Sequence, residues 1–156
     1  MGHYTEFVFG VSLKSTTPKE VIAILDYLVN NVELDKDLSY TNHEFFKCSR
    51  FIAIATSSSY YFGYSESLSA FSGTADNISK EYLLSIRSNL KNYDNEIDKF
   101  VDWIRPYVNS GSGSKELLGY KSSEQSVIPY LFYKDKKFEQ SVNTNINAGS
   151  YIEELY

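Results

Sequence analysis

The stretch YLLSIRSNLKNYDNEIDKFVDWIRPY, residues 82–107, contains the only tryptophan of the chain and changes its hydrophobic period once. In its first third Tyr82, Leu84 and Ile86 share one face, as in a half-buried strand. Ser85, Arg87 and Asn89 fall on the opposite, polar face. From residue 97 onward apolar residues recur at spacings of three and four, which is typical of one helical stripe. The stripe comprises Ile97, Phe100, Val101, Ile104 and Val108, with Trp103 at its edge. The stretch therefore predicts a strand followed by an amphipathic helix.

The ends of this helix are also marked. Asp94 is its predicted N-cap, with Glu96 in the first turn, where a carboxylate favours the positive end of the helix dipole. Pro106 limits the helix at its other end, because the proline ring clashes with the carbonyl four residues earlier.

A second amphipathic helix is predicted from residue 18 to about residue 30. Thr17 can cap it, Pro18 suits its first position, and Glu20 completes a capping box. Its buried stripe comprises Val21, Ile24, Leu25 and Leu28. A strand precedes it, in which Phe7, Phe9, Val11 and Leu13 alternate with residues of the other face.

The remaining apolar runs predict further strands. Residues 51–54 and 60–64 form a candidate hairpin, a short strand lies near residues 68–72, and residues 115–121, 127–133 and 138–142 complete the set. Pro129 indicates an edge position or a bulge. The predicted fold is α+β, a single domain over residues 1–156. Its antiparallel sheet carries two main helices on one face, in the order β-α-β-β-β-α-β-β-β, with residues 143–156 as a loose C-terminal tail apart from a short helical pattern.

Composition excludes several functional classes. A net charge of −5 and a pI near 5.0 argue against a protein whose main task is gripping phosphate backbones. A single cysteine excludes an intramolecular disulfide, which favours a reducing cytoplasm. No apolar run approaches the ~18 residues of a membrane span. We therefore expect a cytoplasmic protein with no membrane association.

Two sets of residues are candidates for binding a partner. Asp94, Asp98 and Asp102 follow one another at spacings of four, so they line one side of the predicted helix. They could imitate a row of phosphates or dock into a basic groove, or they could be a solvated helix face. The second set belongs to the 14 tyrosines of the chain and comprises Tyr60, Tyr61, Tyr64 and Tyr120. Tyrosine suits a recognition surface, but strands also favour aromatic residues for packing.

No catalytic, cofactor or metal site is predicted. His43, Glu44 and Cys48 could form a metal cluster or a thiol and base pair, but the apolar setting of Cys48 favours a buried, inert thiol. No phosphate-binding loop or dinucleotide motif occurs. An enzyme remains an alternative only if a carboxylate such as Glu44 or Glu124 is buried in a pocket with a raised pKa.

Three segments carry a resemblance to a known family. They are KNYD, EI, KF, WI and PY within residues 91–107, SYYF at residues 59–62, and LGY at residues 118–120 followed by Glu124 and Ile128-Pro129. This pattern resembles a small family found in phage and prophage genomes of Gram-positive bacteria. Residues 121–126 are less acidic and less aromatic than the corresponding family segment. The resemblance implies an accessory role in a phage and no particular activity.

These observations favour an interaction protein over an enzyme. We expect a phage- or prophage-encoded protein that binds a host protein or protein complex in fixed stoichiometry, with anti-defence inhibition, for example of a CRISPR effector, as one such role. In that case it would work in the cytoplasm of the host cell. The alternative is a module that binds a nucleotide signal or single-stranded nucleic acid. The sequence leaves the oligomeric state open.

Overall fold

Strand β1 (Thr5–Leu13) lies at the centre of a five-stranded antiparallel sheet with the order β2-β3-β1-β4-β5. The computed structural model describes residues 3–34, 42–58, 67–73, 81–109, 116–126 and 128–134. The other strands are β2 (Ala70–Gly73), β3 (Tyr82–Leu90), β4 (Leu117–Ser123) and β5 (Tyr130–Tyr133), and the two α-helices are α1 (Lys19–Asn30) and α2 (Glu96–Ile104). The predicted α+β class is confirmed. Neither α-helix has the length and hydrophobicity needed to span a membrane.

The sheet buries one face under both helices. Phe7 and Phe9 of β1 and Ile86 of β3 are almost completely buried, as the alternating pattern predicts. The stripes of both helices belong to the same hydrophobic core, which confirms the prediction of two helices on one side. The opposite face of β3 is exposed from residue 83 to residue 87. Asn89 departs from the prediction, because it shares that face and is nevertheless fully buried.

Helix α1 has the predicted stripe but not the predicted cap. Its buried residues are Val21, Ile24, Leu25 and Leu28. The capping role of Thr17 was wrong: its hydroxyl donates to the Lys14 carbonyl oxygen at 2.6 Å, and no side chain caps the helix. At the other end Asn31 adopts a left-handed conformation with φ 56°, which lets its amide bond back to the Asp26 carbonyl.

Helix α2 is capped from further back than predicted. Asp94 is not its N-cap; Asn95 precedes the helix with φ 57°, and the Asn92 side-chain oxygen accepts a hydrogen bond from the Ile97 amide at 3.0 Å. Glu96 in the first turn is completely buried, and its carboxylate accepts from the Asp94 amide at 3.1 Å. The apolar stripe and the position of Trp103 are confirmed.

The predicted strand at residues 51–54 was wrong. Phe51–Ala53 form a short 3-10 helix, preceded by another at Glu44–Lys47. The reason is packing: the Phe51 ring lies 5.8 Å from that of Phe45, and Phe45 in turn lies 6.0 Å from Trp103. An extended strand would turn alternate side chains away from this cluster. The partner strand at residues 60–64, the strand at residues 138–142 and the tail at residues 143–156 lie outside the described residues.

The two last described strands match the prediction in type and place. Strands β4 and β5 pair antiparallel, with a register shift between Leu117 and Gly119. Pro129 directly precedes β5, which is the last strand in the order of the described sheet, so its missing N–H lies outside the described ladder. Over the described residues the element order is therefore β-α-β-β-α-β-β.

Candidate functional site

The predicted acidic row has a partner for each carboxylate. Both Asp98 oxygens accept from Lys121 Nζ, at 2.8 and 2.6 Å. Asp102 lies 3.6 Å from Arg105 Nη1 and 3.7 Å from His43 Nε2. Asp94 precedes α2 and accepts a hydrogen bond from Ser49 at 3.4 Å. The row therefore presents less uncompensated negative charge than its sequence alone indicates.

Tyr120, the one predicted tyrosine that the structure describes, does not share a surface with this row. Tyr120 pairs with Val8 across β1 and β4, so its side chain lies on the sheet face away from the helices. It is half-buried, and its hydroxyl lies 3.5 Å from Glu6 Oε1. Tyr60, Tyr61 and Tyr64 lie outside the described residues, and their role stays a prediction.

Lys121 lies on the helix side of the sheet, between two cavities. Its side chain is only 21% exposed, and its Nζ lies 4.9 Å from the ring centroid of Tyr130. The pKa of the Tyr130 hydroxyl is raised by burial and, to a smaller extent, by the nearby Asp98 carboxylate. The Lys121 ammonium therefore joins helix α2 to strands β4 and β5 through one ion pair and two aromatic contacts, the second with the Phe132 ring at 5.9 Å.

Two cavities flank this lysine. The first, which we call the hydroxyl pocket, has a volume of about 500 Å³ and is lined by Lys121, Asn92, Tyr130 and the hydroxyl-bearing residues Thr5, Ser123 and Ser126. The second, which we call the charged cleft, has a volume of about 510 Å³. Its charged and titratable lining, besides Lys121, comprises His43, Glu44, Asp98, Lys99, Asp102, Arg105 and Tyr130. No local sequence pattern indicates either cavity, because the lining residues come from distant segments.

Cys48 and His43 do not form the thiol and base pair that the sequence left open. Cys48 is buried, and its Sγ lies 3.6 Å from the Glu44 carbonyl oxygen. His43 Nδ1 accepts from the Phe45 amide at 3.1 Å, and its Nε2 faces Asp102. Among the residues that the structure describes, no group of three or more His, Cys, Asp or Glu side chains could hold a metal ion.

Glu44 and Glu124, the two carboxylates considered as examples of a catalytic group, differ in burial. The Glu44 side chain is 66% exposed, and a hydrogen bond and ion pair with Lys47 lower its pKa. It therefore fails the condition of burial with a raised pKa. The Glu124 side chain is 11% exposed and lies 2.9 Å from His3 Nδ1. It is not among the described residues that line either cavity beside Lys121.

Cys48 yields a testable expectation. Burial raises the pKa of its thiol, which lowers the thiolate fraction and the access of reagents together. At pH 8 we expect the native protein to react with an aromatic disulfide reagent at least about tenfold more slowly than the protein in denaturant. Equal absorbance kinetics under both conditions would contradict the buried position.

A second candidate surface lies on the far side of the sheet. We call it the open sheet face, and its exposed residues are Leu68, Ala70, Ser72, Leu83, Ser85, Arg87 and Gly10. Leu68 and Leu83 are 60% and 48% exposed. Leu68 belongs to this face because its amide donates to the Arg87 carbonyl oxygen at 2.8 Å, which continues the pairing of β2 with β3. The alternation in residues 82–89 indicated an outward face, but not that two leucines would stand exposed on it.

The charge on the open sheet face is low. Arg87 Nε lies 3.9 Å from Glu6 Oε1, and the other members of the face are apolar, hydroxyl-bearing or glycine. Small side chains also allow a partner to approach the sheet closely. The arrangement offers a binding surface, and its described exposed residues include no His, Cys, Asp or Glu. Comparison with known proteins assigns no family, since no family model, curated protein or solved structure matches this chain.

Proposed function

We propose that this chain is a phage- or prophage-encoded interaction protein that binds a host protein in fixed stoichiometry through its open sheet face. Inhibition of an antiviral system of the host, such as a CRISPR effector, is the activity to test first. The resemblance in residues 91–107 supports the phage origin. The observation that supports binding is the pair of exposed leucines on a sheet surface whose other side chains are mostly small and uncharged.

The chemistry of this face favours a protein partner. Exposed apolar residues that cluster on one surface mark interaction sites, and the cores of protein interfaces are depleted in charged residues. Leu68 and Leu83 supply apolar area. Ala70, Ser72 and Ser85 have small side chains that protrude little from the sheet between them. The partner is therefore expected to present an apolar patch with few charges at its centre.

The net charge bears on the other possible occupants. At −5, two copies of this chain repel one another, and so do the chain and a nucleic acid. Tyr120, the described member of the tyrosine set, faces Glu6 instead of a positive groove, which does not suit a base-stacking platform. A different protein is therefore the occupant that the charges favour.

Capture from a host lysate followed by mass spectrometry tests this proposal. The full chain serves as bait beside Leu83→Asp, which places a charge on the open sheet face. The matched control is Ile52→Asp, because Ile52 is 50% exposed and lies in the 3-10 helix at residues 51–53, away from this face.

We expect one host protein to be captured by the wild type and by Ile52→Asp, and at least about tenfold less by Leu83→Asp, since a charge buried in an apolar interface costs several kcal/mol. Co-elution at a fixed molar ratio in size-exclusion chromatography with light scattering establishes the stoichiometry. Equal capture by all three baits, a dimer of the chain itself through this face, or no enriched protein would contradict the proposal.

A further inference from the structure

We propose that the hydroxyl pocket binds a small organic anion with a single negative charge, whose charged group lies at Lys121. This site is separate from the open sheet face, because Lys121 points to the helix side of the sheet and Leu83 to the other side. Success or failure at one site therefore leaves the other unaffected.

The described carboxylates near Lys121 line the charged cleft and not the hydroxyl pocket. Lys121 is the one cation among the described residues that line the hydroxyl pocket, and no carboxylate belongs to that lining. The acidic residues Glu44, Asp98 and Asp102 line the charged cleft instead. A negative group in the hydroxyl pocket therefore meets an ammonium at close range with the carboxylates behind it.

Three polar groups of the pocket retain a donor, whereas the Ser126 hydroxyl already donates to the Ile128 carbonyl oxygen at 3.2 Å. Asn92 uses its side-chain oxygen to accept from the Ile97 amide at 3.0 Å, so its NH2 group remains for a ligand. Ser123 Oγ accepts from the Gln125 amide at 3.2 Å, which leaves its hydrogen. Lys121 has three N–H donors, and its two bonds to Asp98 leave the third. A set of donors selects a ligand rich in acceptors.

The pocket also has an apolar wall, formed by Ile128 and the ring of Tyr130. A volume of about 500 Å³ lies within the range of small-molecule sites. Both features favour an organic ligand over an inorganic ion. A single charge fits better than a polyphosphate, because one ammonium that is already paired with Asp98 cannot neutralise several negative groups.

Two chemical sources provide such an anion: a phosphodiester, as in a cyclic mononucleotide, and a carboxylate. The test measures thermal midpoints with cyclic AMP, cyclic GMP and 4-hydroxybenzoate, with inorganic phosphate as the ion alone. A ligand that binds only the folded chain raises the midpoint. Calorimetry then gives the dissociation constant for each compound that does so.

Three variants locate the site. Lys121→Met removes the cation, and we expect at least about tenfold weaker binding, as for loss of a charged hydrogen bond. The matched control Lys91→Met should bind as the wild type, because Lys91 lies over the Tyr4 ring and is not part of the described pocket lining. Asp98→Asn removes the competing carboxylate and should tighten binding severalfold. This variant keeps the cation, so it tests the site even if Lys121→Met folds poorly.

The outcomes separate cleanly. A shift with the cyclic nucleotides or with the carboxylate, lost in Lys121→Met and enhanced in Asp98→Asn, supports the proposal and identifies the source. The proposal is overturned if neither the cyclic nucleotides nor 4-hydroxybenzoate raises the thermal midpoint. A shift with inorganic phosphate alone, equal binding by Lys121→Met, or weaker binding by Asp98→Asn would also overturn it, since each contradicts an organic anion held at the ammonium.

Discussion

Replacing Phe100 with alanine is expected to lower the free energy of unfolding by about 3 to 5 kcal/mol. Phe100 is completely buried, and its ring centroid lies 5.9 Å from those of Phe7 and Phe9 and 5.3 Å from that of Phe45. It therefore joins helix α2 to the central strand and to the 3-10 helix at residues 44–47. Alanine would leave a cavity where these three elements meet, and rigid neighbours fill such a cavity only in part.

Urea unfolding, followed by the fluorescence of Trp103, measures this effect. Tyr93→Ala is the control, because Tyr93 is 57% exposed and its contact is a cation-π pair with Arg50 at 5.7 Å. We expect that control to cost less than about 1 kcal/mol. If Phe100→Ala also costs less than about 1 kcal/mol, the described core is wrong.

Replacing Gly119 with alanine is expected to cost roughly 3 kcal/mol or more. A Cβ atom at Gly119 would overlap the Val8 carbonyl oxygen and lie 2.8 Å from Phe9 Cα. Both atoms belong to the backbone of β1, which cannot move aside without disturbing its pairing with β3 and β4. The substitution therefore forces β1 and β4 apart at the Phe9–Gly119 pair.

Gly10→Ala is the matched control for this prediction. Gly10 lies in β1, which pairs with the strand of Gly119, but it faces solvent. Nothing lies within 4 Å of a Cβ atom built at Gly10. We expect the control to leave stability unchanged or to raise it by about 0.5 to 1 kcal/mol, because alanine is more restricted in the unfolded chain. Chemical denaturation of Gly119→Ala and Gly10→Ala measures both effects. Equal denaturation midpoints for the two variants would refute the close approach of β4 to β1.

The sequence predicted those parts of the fold that depend on long hydrophobic periods. The stripes of α1 and α2 each span several turns, so the alternation of apolar and polar residues identifies the buried side whatever the rest of the chain does. The outward and inward faces of β1 and β3 follow from the same kind of pattern. The order of these elements along the chain then predicts an antiparallel sheet with both helices on one face.

The short signals were less informative. Thr17 and Asp94 have the right residue type for an N-cap, but the hydroxyl of Thr17 finds the Lys14 carbonyl, and Asn92 supplies the oxygen that caps α2. Residues 51–54 contain too few positions to distinguish a strand from a 3-10 turn. Their conformation depends on rings from other segments, including Trp103, that a local pattern does not contain.

The candidate sites depend on contacts between distant segments. Asp98 and Lys121 are 23 residues apart in sequence, and the register of β4 on β1 brings the lysine to the helix side. The acidic row was therefore predicted without the cation that pairs with it. Leu83 lies on the same face of β3 as Ser85 and Arg87, but it was not among the predicted outward residues, and its exposure depends on which elements cover the sheet.

The affinity of the captured host protein for Leu83→Asp, measured by titration calorimetry beside the wild type and Ile52→Asp, tests the proposed binding surface most directly. We predict a dissociation constant at least about tenfold higher for Leu83→Asp and an unchanged one for Ile52→Asp, all at the same molar ratio. Equal constants for the wild type and Leu83→Asp would contradict the assignment of the open sheet face as the binding surface.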